Sequence, residues 1–217
     1  MNDGAAGTAE SRSTRERILD AAERLLGGKG PDATSLREIT SSAGVNLAAV
    51  NYHFQSKEAL VKAVLDRRVE PLVRRRLEML DDAEAAAAGG PVPINQLMNA
   101  FVVPVLDLQN TAPDFMPLMA RMYTEPRYLE EIVRKHMHPL GVRYVAAFRK
   151  SLPDLPAADL FWRIQFAVGA LMHVMLGPGV IRLGSQGLCD PSDVELLGRQ
   201  IVSFLVAGFL APAAKES

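Results

Sequence analysis

The stretch from Ser35 to Lys57 restricts the fold more than any other part of the chain. Ser35-Leu36-Arg37-Glu38 has the form of a capping box, in which a serine hydroxyl and a glutamate three residues later satisfy each other's backbone N–H at a helix start. Leu36, Ile39 and Ala43 then recur at helical spacing until Gly44 stops the pattern after about two turns. Asn46 can cap a second short helix over roughly 47–54, and Ser56 another that begins Lys57-Glu58-Ala59-Leu60. A glycine between two short helices supplies the positive φ that a tight turn favours, so the segment reads as a helix-turn-helix. On its second helix Val50 and Phe54 are four residues apart and face the core. Leu47, Ala48, Asn51, Tyr52 and His53 are left near or on the outside.

The rest of the chain reads as helix as well. Residues 1–12 are small and polar and are expected to form a disordered arm. Ser13-Thr14-Arg15-Glu16 fits another capping box, followed by Ile18, Leu19, Ala22, Leu25 and Leu26 at helical spacing up to Gly27-Gly28. A charged helical run extends from Lys57 to about Ala88, with a kink or interruption expected at Pro71. Further helices are predicted near 94–110, 114–122, 127–150, 157–176 and 192–210, and no segment alternates as a strand would. The fold class is therefore all-α. The expected division is an arm over 1–12, a helix-turn-helix domain over 13–60, and a larger helical domain over 61–217.

Composition narrows the function. A single cysteine, Cys189, excludes a disulfide framework, a thiolate zinc cluster and a Cys-x-x-Cys redox pair, and suits a reducing cytosol. The longest apolar runs, near 166–176 and 201–211, are shorter than the ~18–20 residues of a membrane span, and the first residues carry no hydrophobic signal. A cytoplasmic protein with no membrane contact is expected. No phosphate loop, nucleophile elbow or convergent carboxylate pair is present, so neither catalysis nor a cofactor is expected. His136 and His138 are two apart in a helical pattern and point to different faces, which disfavours a shared metal. Arg74-Arg75-Arg76, close to Glu78, Asp81 and Asp82, reads as a solvated face.

The net charge of −1 conceals an asymmetry: residues 12–68 carry 10 Lys and Arg against 7 Asp and Glu, while 69–217 carry 14 against 16. The excess of positive charge falls on the helix-turn-helix, where Asn51 can pair with adenine or bond a phosphate. Tyr52 and His53 offer polar tips to backbone oxygens, and Lys57 can reach a phosphate. Two-helix turns with a glycine also occur in helical proteins that only bind other proteins, so an interaction module with weak DNA contact is the alternative reading.

Four blocks carry a resemblance. Ile18-Leu19-Asp20-Ala21-Ala22, Thr34 to Ile39, Ala43-Gly44-Val45, and Tyr52-His53-Phe54-Gln55-Ser56-Lys57-Glu58-Ala59-Leu60 closely resemble, in order and spacing, the DNA-binding domain of TetR-type transcriptional regulators. The resemblance implies a three-helix DNA-binding domain joined to an all-helical ligand-binding and dimerisation domain. It places DNA contacts at Ser35, Arg37, Leu47, Ala49, Asn51, Tyr52, His53 and Lys57. Many members carry Tyr where this chain has Asn51, which would move a phosphate contact to Tyr52. Residues 45–54, with Leu160-Phe161-Trp162-Arg163 and Gly169-Ala170, also look like the PsrA-like subgroup, associated with long-chain fatty acid sensing.

In the larger domain, the helices near 157–176 and 192–210 are apolar on almost every face and must be enclosed. The resemblance implies that they pair with their symmetry mates in a homodimer, matched to two half-sites of a double-stranded operator. A hydrophobic small-molecule effector, such as a fatty acid or acyl thioester, would lie among Phe101, Val105, Met119, Tyr123, Phe148, Trp162, Phe166 and His173. Arg121 and Arg163 are the candidates to pair its charged group.

Overall fold

The computed structural model describes the backbone of residues 4–124 and 126–213, and the side chains of residues 14–122, 128 and 130–213. The described residues form eleven α-helices and no strand. The chain divides into two compact units, one made of residues 1–70 and 112–129, the other of residues 71–111 and 130–217. The division is not the simple one expected at residue 60: the first unit continues ten residues further and takes in a segment from the middle of the chain.

In the first unit, α1 (Gly4–Lys29) carries the stripe Ile18, Leu19, Ala22 and Leu26, all buried. It begins at Gly4, so the box expected at Ser13 does not start a helix; Ala5, Ala6 and Ala9 offer nothing that stops a helix already formed. α2 (Leu36–Ala43) and α3 (Leu47–Phe54) add Ile39, Val50 and Phe54 to the same core, and α4 (Lys57–Ala86) adds Leu60, Val61 and Val64. α6 (Phe115–Thr124) closes this core with Phe115, Leu118 and Met122. A Cβ at Gly27 would lie 2.9 Å from the Asp114 carbonyl oxygen, so only glycine permits α1 to run this close to the chain entering α6. Glu23, buried in α1, accepts from both Arg67 and Arg68 of α4, and Arg67 also reaches Asp20 at 2.6 Å. A buried carboxylate is tolerable there because two guanidinium groups pair with it.

Of the kink or interruption expected at Pro71, the interruption does not occur: α4 runs through it, the remaining ladder of a 30-residue helix outweighing the one missing N–H donor. The second unit contains the remainder of α4, then α5 (Ile94–Thr111), α8 (His138–Ser151), α9 (Ala157–Leu176), α10 (Pro178–Gly184) and α11 (Val194–Leu210). The single helix expected over 127–150 is three pieces: α7 (Pro126–Ile132), a π-helical turn (Val133–Met137) and α8. Pro139 cannot donate and its ring excludes the carbonyl four residues back, so the chain widens to a five-residue loop in which the His138 N–H donates to Val133. α10 follows Gly177 and contains a proline and two glycines, which concealed it in the sequence. Among the described residues no single helix is long and apolar enough to cross a membrane; α9 and α10 reach that length only together, and they are bent by 84°.

Candidate nucleic-acid interface

The helix-turn-helix is held by local devices at every joint. Ser35 caps α2: the Glu38 N–H donates to its Oγ at 3.2 Å, and its own N–H donates to Glu38 Oε2 at 2.8 Å. Lys29 donates to the other Glu38 oxygen at 2.6 Å, and these bonds, that of Lys29 foremost, hold the carboxyl down to about 2. Gly44 ends α2 with φ 63° and ψ 42°, the left-handed geometry its position required. The Arg17 guanidinium clamps this turn, donating through Nε and Nη2 to the Ala43 carbonyl at 3.1 and 2.7 Å and through Nη2 to the Gly44 carbonyl at 2.8 Å. Asn46 caps α3, accepting from the Ala49 N–H at 2.9 Å, and Ser56 caps α4, accepting from the Ala59 N–H at 3.1 Å.

Between those caps α3 has two faces. Val50 and Phe54 are buried, and the Arg15 guanidinium lies 5.5 Å over the Phe54 ring. Asn51 and Tyr52 are exposed, Tyr52 by 79%, with its ring edge-on to His53 at 5.1 Å. Leu47 is exposed at the start of the helix, and Ala49, His53 and Lys57 are half-buried. The side chains of Arg37, Asn51 and Lys57 make no hydrogen bond or ion pair with a described residue. Polar groups left unengaged in this way can be offered to base edges and phosphates without first breaking internal bonds. Ser35 differs from the other expected contacts, because the capping box already uses its hydroxyl. The helix ends on a γ-turn: the Ser56 N–H donates to the Phe54 carbonyl at 2.7 Å around Gln55, whose φ of 66° is strained for a residue other than glycine. Arg17 and Gln55 were not predicted to matter, and neither has a sequence signal beyond its place beside a turn.

Family comparisons agree with this architecture. Residues 18–64 match the model for bacterial regulatory proteins of the tetR family, and residues 99–208 match the model for the tetracyclin repressor-like C-terminal domain. The chain belongs to the TetR family. That family is one of transcriptional regulators, a non-enzymatic class. Among its relatives, the uncharacterized HTH-type transcriptional regulator TtgW of Pseudomonas putida is 46% identical over 65 residues, 30% of this chain and 48% of that protein. The HTH-type transcriptional regulator BetI of Rhizobium meliloti is 31% identical over 139 residues, 64% of this chain and 62% of that protein. The chain thus covers about half to three-fifths of the length of these relatives. A solved transcriptional regulator (TerR/AcrR family) from Aquifex aeolicus VF5 shares the fold, with a TM-score of 0.61 at 16% identity over 88% of this chain and 99% of that one.

The TetR-type second domain departs from the expected effector residues at several points. Phe101 and Phe148 are buried and joined through Tyr144, at ring distances of 5.5 and 6.2 Å, and Phe148 continues to Phe209 at 4.8 Å. Val105 is half-buried, one turn beyond Phe101 on α5. Trp162 and Phe166, expected inside, are 60% and 65% exposed and stack on each other at 5.9 Å; His173 is exposed too. α9 buries Leu160, Ala167, Leu171 and Met175 instead, and a helix apolar all round has no periodicity to say which stripe turns inward. Arg163 is not available to a ligand charge, since Nη1 donates to the Phe209 carbonyl at 2.6 Å and Nη2 to the Pro212 carbonyl at 3.0 Å. Arg121 and Met119 belong to the first unit, where Arg121 donates to the Gly27 and Gly28 carbonyls at 3.0 and 2.8 Å and closes the end of α1. The side chain of Tyr123 lies outside the described residues.

One arginine departs from expectation in the opposite sense. Arg74 and Arg75 are exposed, as a solvated face requires, but Arg76 is buried. Its position four residues before the buried Leu80 was the signal, and the run of three charges obscured it.

Proposed function

We propose that the protein is a homodimeric repressor acting in the cytoplasm, which binds a double-stranded operator through α3 and is released by a hydrophobic small molecule in its second unit. The observation that carries this reading is the outer face of the helix-turn-helix, where Arg37, Asn51 and Lys57 stand unengaged beside the exposed Tyr52 on a scaffold capped at each joint. Asn51 and Arg37 are suited to base edges, Tyr52 and Lys57 to phosphates, with Leu47, Ala49 and His53 completing the contact face. The exposed aromatic faces of α9 and α11 support self-association: Phe161, Trp162, Phe166 and, 71% exposed, Phe204 are what a four-helix interface with a second copy would cover. The ring cluster of Phe101, Tyr144, Phe148 and Phe209 supports an apolar effector, and the PsrA-like resemblance favours a fatty acid or acyl thioester.

Repression then rests on a coupling between effector and operator of about 1–3 kcal/mol, which acts equally in both directions. A footprint and gel shift on the promoter of the protein's own gene, repeated across salt concentrations, tests the reading. A discrete protected site with two half-sites about one helical turn apart is expected. Binding no tighter than to random duplex overturns it and favours an interaction module with weak DNA contact.

A further inference from the structure

We infer that Arg76 is the anion seat of the second unit and that the effector it receives is an apolar monocarboxylate. The inference rests on the reading that this unit takes an effector; it adds which charge that effector carries and which residue meets it.

Arg76 is only 6% exposed. Its Nε and Nη2 donate to the Phe101 carbonyl at 2.9 and 2.6 Å, its guanidinium carbon lies 4.3 Å over the Phe101 ring, and the Tyr144 hydroxyl donates to the Arg76 backbone carbonyl at 3.2 Å. Nη1 makes no hydrogen bond with a described residue, so the cation keeps an unused donor edge. No described carboxylate pairs with it. Of the acids that follow on α4, Glu78 pairs with Arg75 at 3.6 Å, Asp81 and Glu84 pair with Arg143 at 2.6 and 3.0 Å, and Asp82 is exposed to solvent. Burial draws the guanidinium down to about 10, which still leaves it charged at neutral pH, and burial pushes the Tyr144 phenol up, which keeps that neighbour neutral.

A buried cation with no anion is costly, and a carbonyl dipole and a ring face offset only part of that cost. Pro104, inside α5, cannot donate to the Ala100 carbonyl and loosens the helical ladder beside Phe101, so Arg76 also braces a weakened turn. A neutral donor could brace it equally well; the full positive charge is what that role does not account for. A single carboxylate would neutralise the charge and accept from Nη1, and the chain of rings beside it suits an apolar tail. A neutral ligand would leave the charge unmatched, and a dianion would bring a second charge with no partner.

The test uses the full-length protein and two isosteric pairs, decanoate with decanamide and 2-naphthoate with 2-naphthamide, followed by calorimetry. In the wild type at least one acid is expected to bind ten-fold or more tighter than its amide. In R76Q that preference falls below two-fold, and in R76K part of it returns. Because R76Q can fail to fold, the carboxyl of bound, carboxyl-labelled decanoate is also titrated by carbon NMR on the wild type, where it should stay ionised to lower pH than the free acid. Equal affinity of acids and amides, no binding of either acid at millimolar concentration, a preference that survives R76Q, or an unshifted carboxyl titration each overturns the seat. Operator release is scored separately. Acids that bind through Arg76 but leave the operator occupied defeat the effector reading alone, whereas amides that bind and release it as well as the acids do defeat the seat alone.

Discussion

The helices α3 and α9 each bury one stripe and expose the other, but what they expose differs in chemistry. α3 turns Val50 and Phe54 inward and presents Asn51 and Tyr52, with Lys57 just beyond its end. α9 turns Leu160, Ala167, Leu171 and Met175 inward and presents Phe161, Trp162 and Phe166. Exposed polar groups cost little in water and wait for a polar partner. Exposed aromatic rings at this density are unfavourable until another apolar surface covers them. The two helices therefore mark surfaces for different kinds of partner, and each can be damaged without the other.

The largest effect is expected on the apolar side. Replacing Phe166 and Phe204 together by glutamate removes two side chains worth about 1.5–3 kcal/mol each when buried, enough to leave a monomer in sedimentation velocity. A dimer that survives this double change would show that copies do not meet through α9 and α11. On the polar side, Asn51→Ala should cost about 1–3 kcal/mol of discrimination at one base position, read by competition between operator variants. Lys57→Ala should weaken all sequences alike and lower the salt slope by about 1. Neither change should alter the dimer; if Asn51→Ala and Lys57→Ala give the same uniform loss, the division between base and phosphate contacts is wrong.

Smaller effects test the scaffold beneath α3. Ser35→Ala removes the α2 cap and should cost about 1 kcal/mol in denaturant unfolding. The pH dependence follows from Glu38, whose carboxyl sits at about 2 rather than the usual 4.5, mainly through Lys29. A depressed carboxylate stabilises fully above its unfolded value and loses that contribution as pH falls from about 4.5 towards 2. The stability gap between wild type and K29M should therefore be constant near neutrality and shrink over that acid range. Gln55→Gly is the mildest change: relief of the positive φ should raise stability by up to about 1 kcal/mol, or about 2–4 °C in Tm. A fall in Tm would mean that the Gln55 side chain contributes more than its backbone costs.

How much of each region could be read beforehand follows the same contrast. The α2 and α4 caps, the left-handed Gly44 and the inward pair Val50 and Phe54 were legible because each depends on neighbours within four residues. The second unit was legible only as helix. Trp162, Phe166 and His173 were expected inside and are outside, because an all-round apolar helix satisfies either orientation equally. Arg163 and Arg121 were expected to meet a ligand and instead close helix ends through carbonyls 46 and 94 residues away in sequence. The π-turn before Pro139 was signalled by the proline, but its cost is relieved by widening the helix, which no pattern of residue types specifies.

Residue order is enough for the all-α class, the helix-turn-helix with its caps, and the charge difference between residues 12–68 and 69–217, since these rest on composition, periodicity and hydrogen bonds within one turn. Tertiary structure alone decided which residues of the apolar helices lie outside, which arginine is buried, and that residues 112–129 join the first unit. Those outcomes depend on competition among surfaces far apart in the chain, where several faces are nearly equal in local terms and only packing chooses between them.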